Sequence, residues 1–233
     1  MTITATLSKR EQSIADRKER IIAAARSIIA EQGYDALTTR GLAQAAGVTV
    51  PTLYNLVGDK EAIISAMAEH SVEATWARLD FKNAATPLEM ADAVINAAYA
   101  ELIADAAYST GALIALQRLG IAFAYHPTRD NAGARAARRS VEMAEEVCKA
   151  ARDLGLLRGN LCPRDLAVQM FTAYRAPLDD WLSQAIDDDE MLRRQRWGFY
   201  SVLASDAAEE FRAELLERII ALTNAISHEE EAA

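Results

Sequence analysis

Residues 38–60 read TTRGLAQAAGVTVPTLYNLVGDK, and the fold class of the chain turns on this stretch. Leu42, Ala43 and Ala46 fall on one face of a short helix over about 40–46. Gly47 follows at a corner that calls for a positive φ, and Val48 plugs that corner. Val50, Pro51, Thr52, Leu53 and Tyr54 make a second short helix. Pro51 is tolerated there because the first helical turn needs no intrahelical N–H. Asp59 is an N-cap for a third helix. Two short helices joined by a glycine-containing turn, with small residues at their crossing, form a helix-turn-helix pattern.

Upstream, Ile21, Ile22, Ala25, Ile28 and Ile29 recur at helical spacing and predict a brace helix over 17–32, stopped by Gly33. Tyr34 and Leu37 then pack under the corner. Residues 1–16 lack a periodic pattern and read as a flexible arm. Lys9, Arg10, Arg17, Lys18 and Arg20 lie in or beside it, within reach of phosphates. Downstream, Ile63, Ile64, Met67, Ser71, Thr75 and Leu79 mark one face of a helix about 30 Å long at 1.5 Å per residue. Such a helix can start in a head and end in a body, linking the two.

The 233 residues are 51% hydrophobic, with 10 Gly and 5 Pro, which suits one or two helical domains with a sizeable core. No apolar run is long enough to span a bilayer and no signal-peptide core is present, so a cytoplasmic location is expected. In such a reducing compartment Cys148 and Cys162 read as two buried free thiols. The net charge is −9, but residues 1–60 carry 8 Lys/Arg against 6 Asp/Glu. A mildly basic head on an acidic body leaves only the head to approach DNA.

The body predicts further helices. Thr86-Pro87-Leu88-Glu89 reads as a capping box opening one of them. Others follow over about 109–124 and 130–154. Pro163 opens a helix that Pro177 is expected to kink. A stretch over 189–204 comes next, and Asp206-x-x-Glu209 is read as the cap of the last helix. The expected division is an arm over 1–16, a helix-turn-helix domain over 17–62, a helical ligand-binding and dimerisation domain over 63–227, and an acidic tail over 228–233.

Gly33-Tyr34, Thr38-Thr39, Ala46-Gly47-Val48, Thr52-Leu53-Tyr54 and Lys60-Glu61 together resemble the tetracycline-repressor (TetR) family of bacterial transcriptional regulators. The likeness covers about 17–64. It implies an all-α homodimer of nine or ten helices per subunit, with a three-helix helix-turn-helix head and a larger helical body for ligand binding and dimerisation. It implies a ligand-responsive regulator, a repressor, that binds a near-palindromic operator as a dimer and is released when a small molecule enters the body. By matched position, Thr39 and Arg40 contact phosphate and base, Val50, Pro51, Thr52 and Tyr54 lie on the recognition helix, and Lys60 grips a phosphate. The chemistry of these residues agrees. Arg40 can donate two bonds to a guanine edge, Val50 and Pro51 can touch a thymine methyl, and Thr52, Tyr54 and Lys60 can bind phosphates. Leu56 departs from the family pattern, because it cannot donate to a phosphate. Val57, a second departure, can still fill the core. Gly41 is a poor helix former inside the second helix.

Within the body, Trp76, Tyr99, Ile103, Leu116, Gln117, Phe123, Val147, Phe171, Tyr174 and Arg175 are the candidate lining of a ligand pocket. Gln117 and Arg175 are the polar members that need partners. Phe171, Leu178, Trp181, Leu182, Phe211, Leu215, Ile219 and Leu222 are the candidate dimer face, on two helices that would form a four-helix bundle with their copies. Each of these residues is equally read as core packing. No cofactor or metal is implied. Three scattered histidines, no Glu-x-x-His pair, no Gly-rich phosphate loop and no nucleophile elbow argue against an enzyme. A helical small-molecule carrier, or an enzyme with a vestigial DNA-binding head, stays open as the alternative.

Overall fold

The computed structural model describes residues 8–119, 125–128 and 132–230. These form ten α-helices: α1 Lys9–Gln32, α2 Thr39–Ala45, α3 Val50–Leu56, α4 Lys60–Arg78, α5 Pro87–Ala104, α6 Ala106–Arg118, α7 Ala132–Asp153, α8 Pro163–Leu182, α9 Asp188–Asp206 and α10 Glu209–Glu230. The all-α expectation is met. The described residues hold only one isolated antiparallel bridge, between Leu157 and Ala207.

The head is built as its sequence dictates. Thr38, Thr49 and Asp59 cap α2, α3 and α4 by accepting from the backbone N–H of Gly41, Thr52 and Ala62. Gly47 takes the corner with φ of 65°. Gly41 has a packing reason: a Cβ there would lie 2.9 Å from the Thr38 hydroxyl that caps the same helix. The arm is shorter than expected. Ser8 and Glu11 close a capping box, so α1 begins at Lys9 and residues 9–16 are helical. At the other end α10 runs to Glu230, so the first residues of the expected acidic tail are helical as well.

Two main cores result. One gathers Ile21, Ile29, Leu37, Leu42 and Leu53 of the head with Ile63, Ile64 and Met67 of α4 and Tyr108, Ala115 and Leu116 of α6. The other lies between α4, α5, α7, α8, α9 and α10, around Val72, Ile95, Val141, Val147, Met170, Phe199 and Leu203. The head core therefore reaches past residue 62. It borrows two turns of α4 and one face of α6, which hydrophobic spacing along the chain cannot reveal.

Several local expectations are corrected. The Glu89 carboxylate accepts from Ala85 N–H rather than from the cap residue Thr86. Asp206 does not cap α10. It ends α9, buried, and accepts from the backbone N–H groups of Gly159, Asn160 and Leu161 at 3.0, 3.2 and 3.3 Å. Both cysteines are free, but Cys162 is exposed; only Cys148 is buried, its thiol pushed up to about 12 by burial and by the nearby Glu145 charge. Helix α8 continues through Pro177, which is buried.

Candidate nucleic-acid interface and ligand cavity

On the head, Arg40, Pro51 and Tyr54 are exposed at the starts of α2 and α3 and along α3, with Thr39, Val50 and Thr52 half-buried beside them. Arg40 makes no ion pair or hydrogen bond among the described residues, so its guanidinium fork is available. Tyr54 is 49% exposed. Val50, Leu56 and Val57 pack against the head core, as their lack of polar atoms demands. The Thr52 hydroxyl pairs with that of Thr49 at 2.8 Å. Lys60 is held inward: its ammonium donates to the Tyr34 carbonyl at 3.2 Å and sits 3.7 Å over the Tyr34 ring. Partial burial lowers its pKa, against the raising influence of Asp35. An ammonium has three N–H donors, so this anchored group retains donors for a phosphate.

A half-open cavity of about 140 Å³ lies between the body helices and the inner end of the head core. Its wall is mostly apolar: Met67, Val72, Val94, Leu102, Leu113, Leu116, Met143, Phe171, Leu178 and Phe199, with Ser71, Thr75, Glu101, Tyr108, Ser109, Ser140 and Tyr174 as the polar members. The volume is close to that of an engineered cavity of about 150 Å³ that accepts benzene. Several polar members are already engaged. Thr75 donates to the Ser71 carbonyl, Ser140 to the Ala136 carbonyl, and Glu101 pairs with Arg78 at 3.2 Å. Tyr174 retains accessible surface, yet burial pushes its phenol up to about 12. Tyr174 stands on the cavity wall.

Of the ten expected lining residues, Leu116, Phe171 and Tyr174 line the cavity. Phe123 lies outside the described residues. The others are spent elsewhere. Trp76 donates its indole N–H to the Arg139 carbonyl at 3.1 Å and stacks under the Arg139 guanidinium. Tyr99 donates to Asp188 at 2.7 Å, Ile103 is 47% exposed, and Val147 is buried in the body core. Gln117 and Arg175 both reach Asp179, at 3.2 and 3.5 Å, which satisfies at the surface the partners they needed. The missed residues include Tyr108 and Ser71. Tyr108 falls at the start of α6, three residues after the capping Asp105, where the apolar spacing that places helix faces has not yet begun.

The residues expected at the dimer face take several positions in the subunit. Phe171, Leu178, Phe211 and Leu215 are buried within one subunit. Ile219 and Leu222 pack partly against the body core, Trp181 donates to Asp188 at 2.6 Å, and Leu182 is half-buried. These stripes fold α8 and α10 onto α7 and α9. Among the described side chains of the last two helices, the large apolar residues turned outward are Trp197, Leu216 and Ile220, at 47, 44 and 57% exposure.

Two helices join head and cavity. Helix α4 carries Ile63 and Ile64 into the head core and Met67, Ser71, Val72 and Thr75 into the cavity wall. Its far end is fixed to α7 by Trp76. Helix α6 is the second link, and it packs more extensively on α1 than on any other helix. The Arg26 guanidinium lies 4.1 Å above the Tyr108 ring, and Arg118 meets the Asp35 carboxylate with two bonds of 2.8 and 2.9 Å. No group of three or more His, Cys, Asp or Glu among the described residues could hold a metal ion, and no helix among them is long and apolar enough to cross a membrane.

Residues 21–67 match the family described as bacterial regulatory proteins, tetR family. The chain is similar in fold to RolR in complex with resorcinol, at 19% identity over 90% of this chain and 96% of that one, TM-score 0.63. Thermus thermophilus FadR, a TetR-family transcriptional repressor in complex with lauroyl-CoA, is similar at 17% identity over 82% and 96%, TM-score 0.63. SmeT, the repressor of the Stenotrophomonas maltophilia multidrug efflux pump SmeDEF, is similar at 19% identity over 83% and 92%, TM-score 0.60. No curated protein matches by sequence.

Proposed function

We propose that this chain, whose residues 21–67 carry the head of the tetR family of bacterial regulatory proteins, is a ligand-responsive transcriptional repressor. The observation that carries the reading is that α4 and α6 each contribute to the head core and to the cavity wall. A molecule in the cavity cannot displace Met67, Tyr108 or Leu116 without disturbing the packing on which α2 and α3 rest.

Arg40 reads a base edge, and the N–H groups and hydroxyls of Thr39, Thr52, Tyr54 and Lys60 set register on phosphates. One head spans only a few base pairs, so two are needed, about 34 Å apart on a near-palindrome. The outward residues Trp197, Leu216 and Ile220 are the apolar surface through which two subunits pair. Ligand binding shifts α4 and α6, changes the spacing of the heads and weakens operator binding, to the extent that the ligand prefers the released conformation. A likeness in fold to regulators solved with resorcinol and with lauroyl-CoA supports a small organic effector.

The test is an electrophoretic shift with the DNA upstream of the protein's own gene. A specific shift is expected for the wild type. Arg40→Ala is expected to weaken it by about 1–3 kcal/mol, or roughly 5- to 150-fold. No specific shift, or an unchanged one for Arg40→Ala, contradicts the reading.

A further inference from the structure

Helix α1 is 24 residues long, yet its first half buries no side chain. From Lys9 to Arg20 every residue is exposed except the half-buried Ser13, and the first core residue is Ile21. A free-standing helix this short is marginal in water. Here it is held by the continuing helix and, at its free end, by the Ser8–Glu11 capping box. The segment is about 18 Å long, half a turn of duplex DNA. Its charges are sorted. At about 100° per residue, Lys9, Arg10, Arg17 and Arg20 fall within one arc of comparable width. Glu11 and Glu19 lie on the far side, and Asp16 lies at the edge of the arc. The α1 side chains that meet the body helix α6, Arg26 and Ile29, share the far side with those two acids. The arc itself runs on into Ala24 and Ile28, which pack against the head core. None of its four cations makes an ion pair or hydrogen bond among the described residues.

We infer that this basic arc is a second DNA-contacting surface, lying along the phosphates that flank the bases read by α2 and α3. The inference rests on the repressor reading and adds to it a further surface and the chemistry of its ligand. The arc presents no pocket and no apolar anchor, and no carboxylate falls inside it, so its partner is extended and polyanionic. A duplex carries one phosphate charge per about 1.7 Å of its axis, so a cationic edge of this length meets several. Contacts of this kind add affinity and salt dependence without reading sequence. The arc therefore grips the duplex while Arg40 chooses the site.

The test is fluorescence anisotropy with labelled duplexes cut from the DNA upstream of the protein's own gene, read across a range of salt concentrations. One duplex is trimmed to the bound palindrome, and the other keeps about one helical turn of flank on each side. The quadruple variant Lys9→Gln, Arg10→Gln, Arg17→Gln, Arg20→Gln keeps good helix formers on an exposed, unpaired face, so its helicity and melting temperature are expected to match wild type. Its slope of log affinity against log salt is expected to be shallower by about 3–4 per head, and its affinity for the longer duplex about tenfold lower or more at physiological salt. Its preference for matched over mismatched half-sites is expected to equal that of wild type, whereas Arg40→Ala loses that preference. Trimming the flanks is expected to weaken wild type and to leave the quadruple variant unaffected. Arg17→Gln is expected to lower the slope by about 1, and Lys18→Gln, off the arc, by less than half as much. Equal losses mean that the net charge of the helix acts rather than this face, and overturn the assignment. An unchanged slope and affinity in the quadruple variant, with Arg40→Ala still impaired, overturns the inference and leaves the repressor reading standing. A changed oligomeric state of the DNA-free quadruple variant in analytical ultracentrifugation also overturns it, because the arc then docks on the acidic body of a second copy. If wild type binds no DNA, the repressor reading and the inference fall together.

Discussion

Gly111 of α6 lies so close under Ile29 of α1 that a Cβ built on it would sit 2.4 Å from the Ile29 Cγ2. No atom pair tolerates that approach, so the contact fixes how near the body helix can come to the head. With the Tyr108–Arg26 stack and the Arg118–Asp35 pair on the same helix, it makes α6 a second strut beside α4. The Arg118–Asp35 pair is exposed and screened by water; the packing at Gly111 is the stiffer element.

Gly111→Ala should therefore force α6 away from α1 and cost about 1–3 kcal/mol in urea unfolding, despite alanine's better helix propensity. The cost should shrink when Ile29 is first cut to alanine, because the colliding methyl is gone. A Gly111→Ala protein as stable as wild type would mean that the two helices are not in contact as described.

Tyr174 governs stability at high pH. Burial raises its folded pKa to about 12, against about 10 in the unfolded chain. The folded state holds its proton more tightly, so this contribution is complete below pH 10 and is lost as pH rises through 12. The loss is on the order of 2–3 kcal/mol. Tyr174→Phe should flatten the fall in stability between pH 10 and 12, measured by urea unfolding across that range. An unchanged slope would mean that the phenol is open to bulk water.

Asp206 ties the loop at 159–161 to the end of α9. Asp206→Ala strands three backbone N–H groups and should destabilise the chain by about 2–4 kcal/mol. Chemical denaturation checks the size of the effect; a loss under 0.5 kcal/mol would show that water replaces the carboxylate.

The head was legible because its signals are local. Gly47, Pro51 and the cap Asp59 each act within four residues of themselves. Body helix faces were legible only as apolar stripes, and a stripe does not say what covers it. Phe171 and Leu215 were placed at a dimer face because spacing cannot tell a neighbouring helix from a neighbouring subunit. Gln117 and Arg175 were placed in the pocket because their common partner Asp179 is distant from Gln117 in sequence. The capping motif at Asp206 misled because its carboxylate had a better use 45 residues upstream, at Leu161.

Isothermal titration of a small organic ligand of the cavity into the free protein and into its operator complex bears most directly on ligand-controlled DNA binding. Binding to the free protein should be tighter by about 5- to 150-fold, the range of typical coupling energies. Equal affinity for the two forms would contradict a regulator whose cavity governs its head.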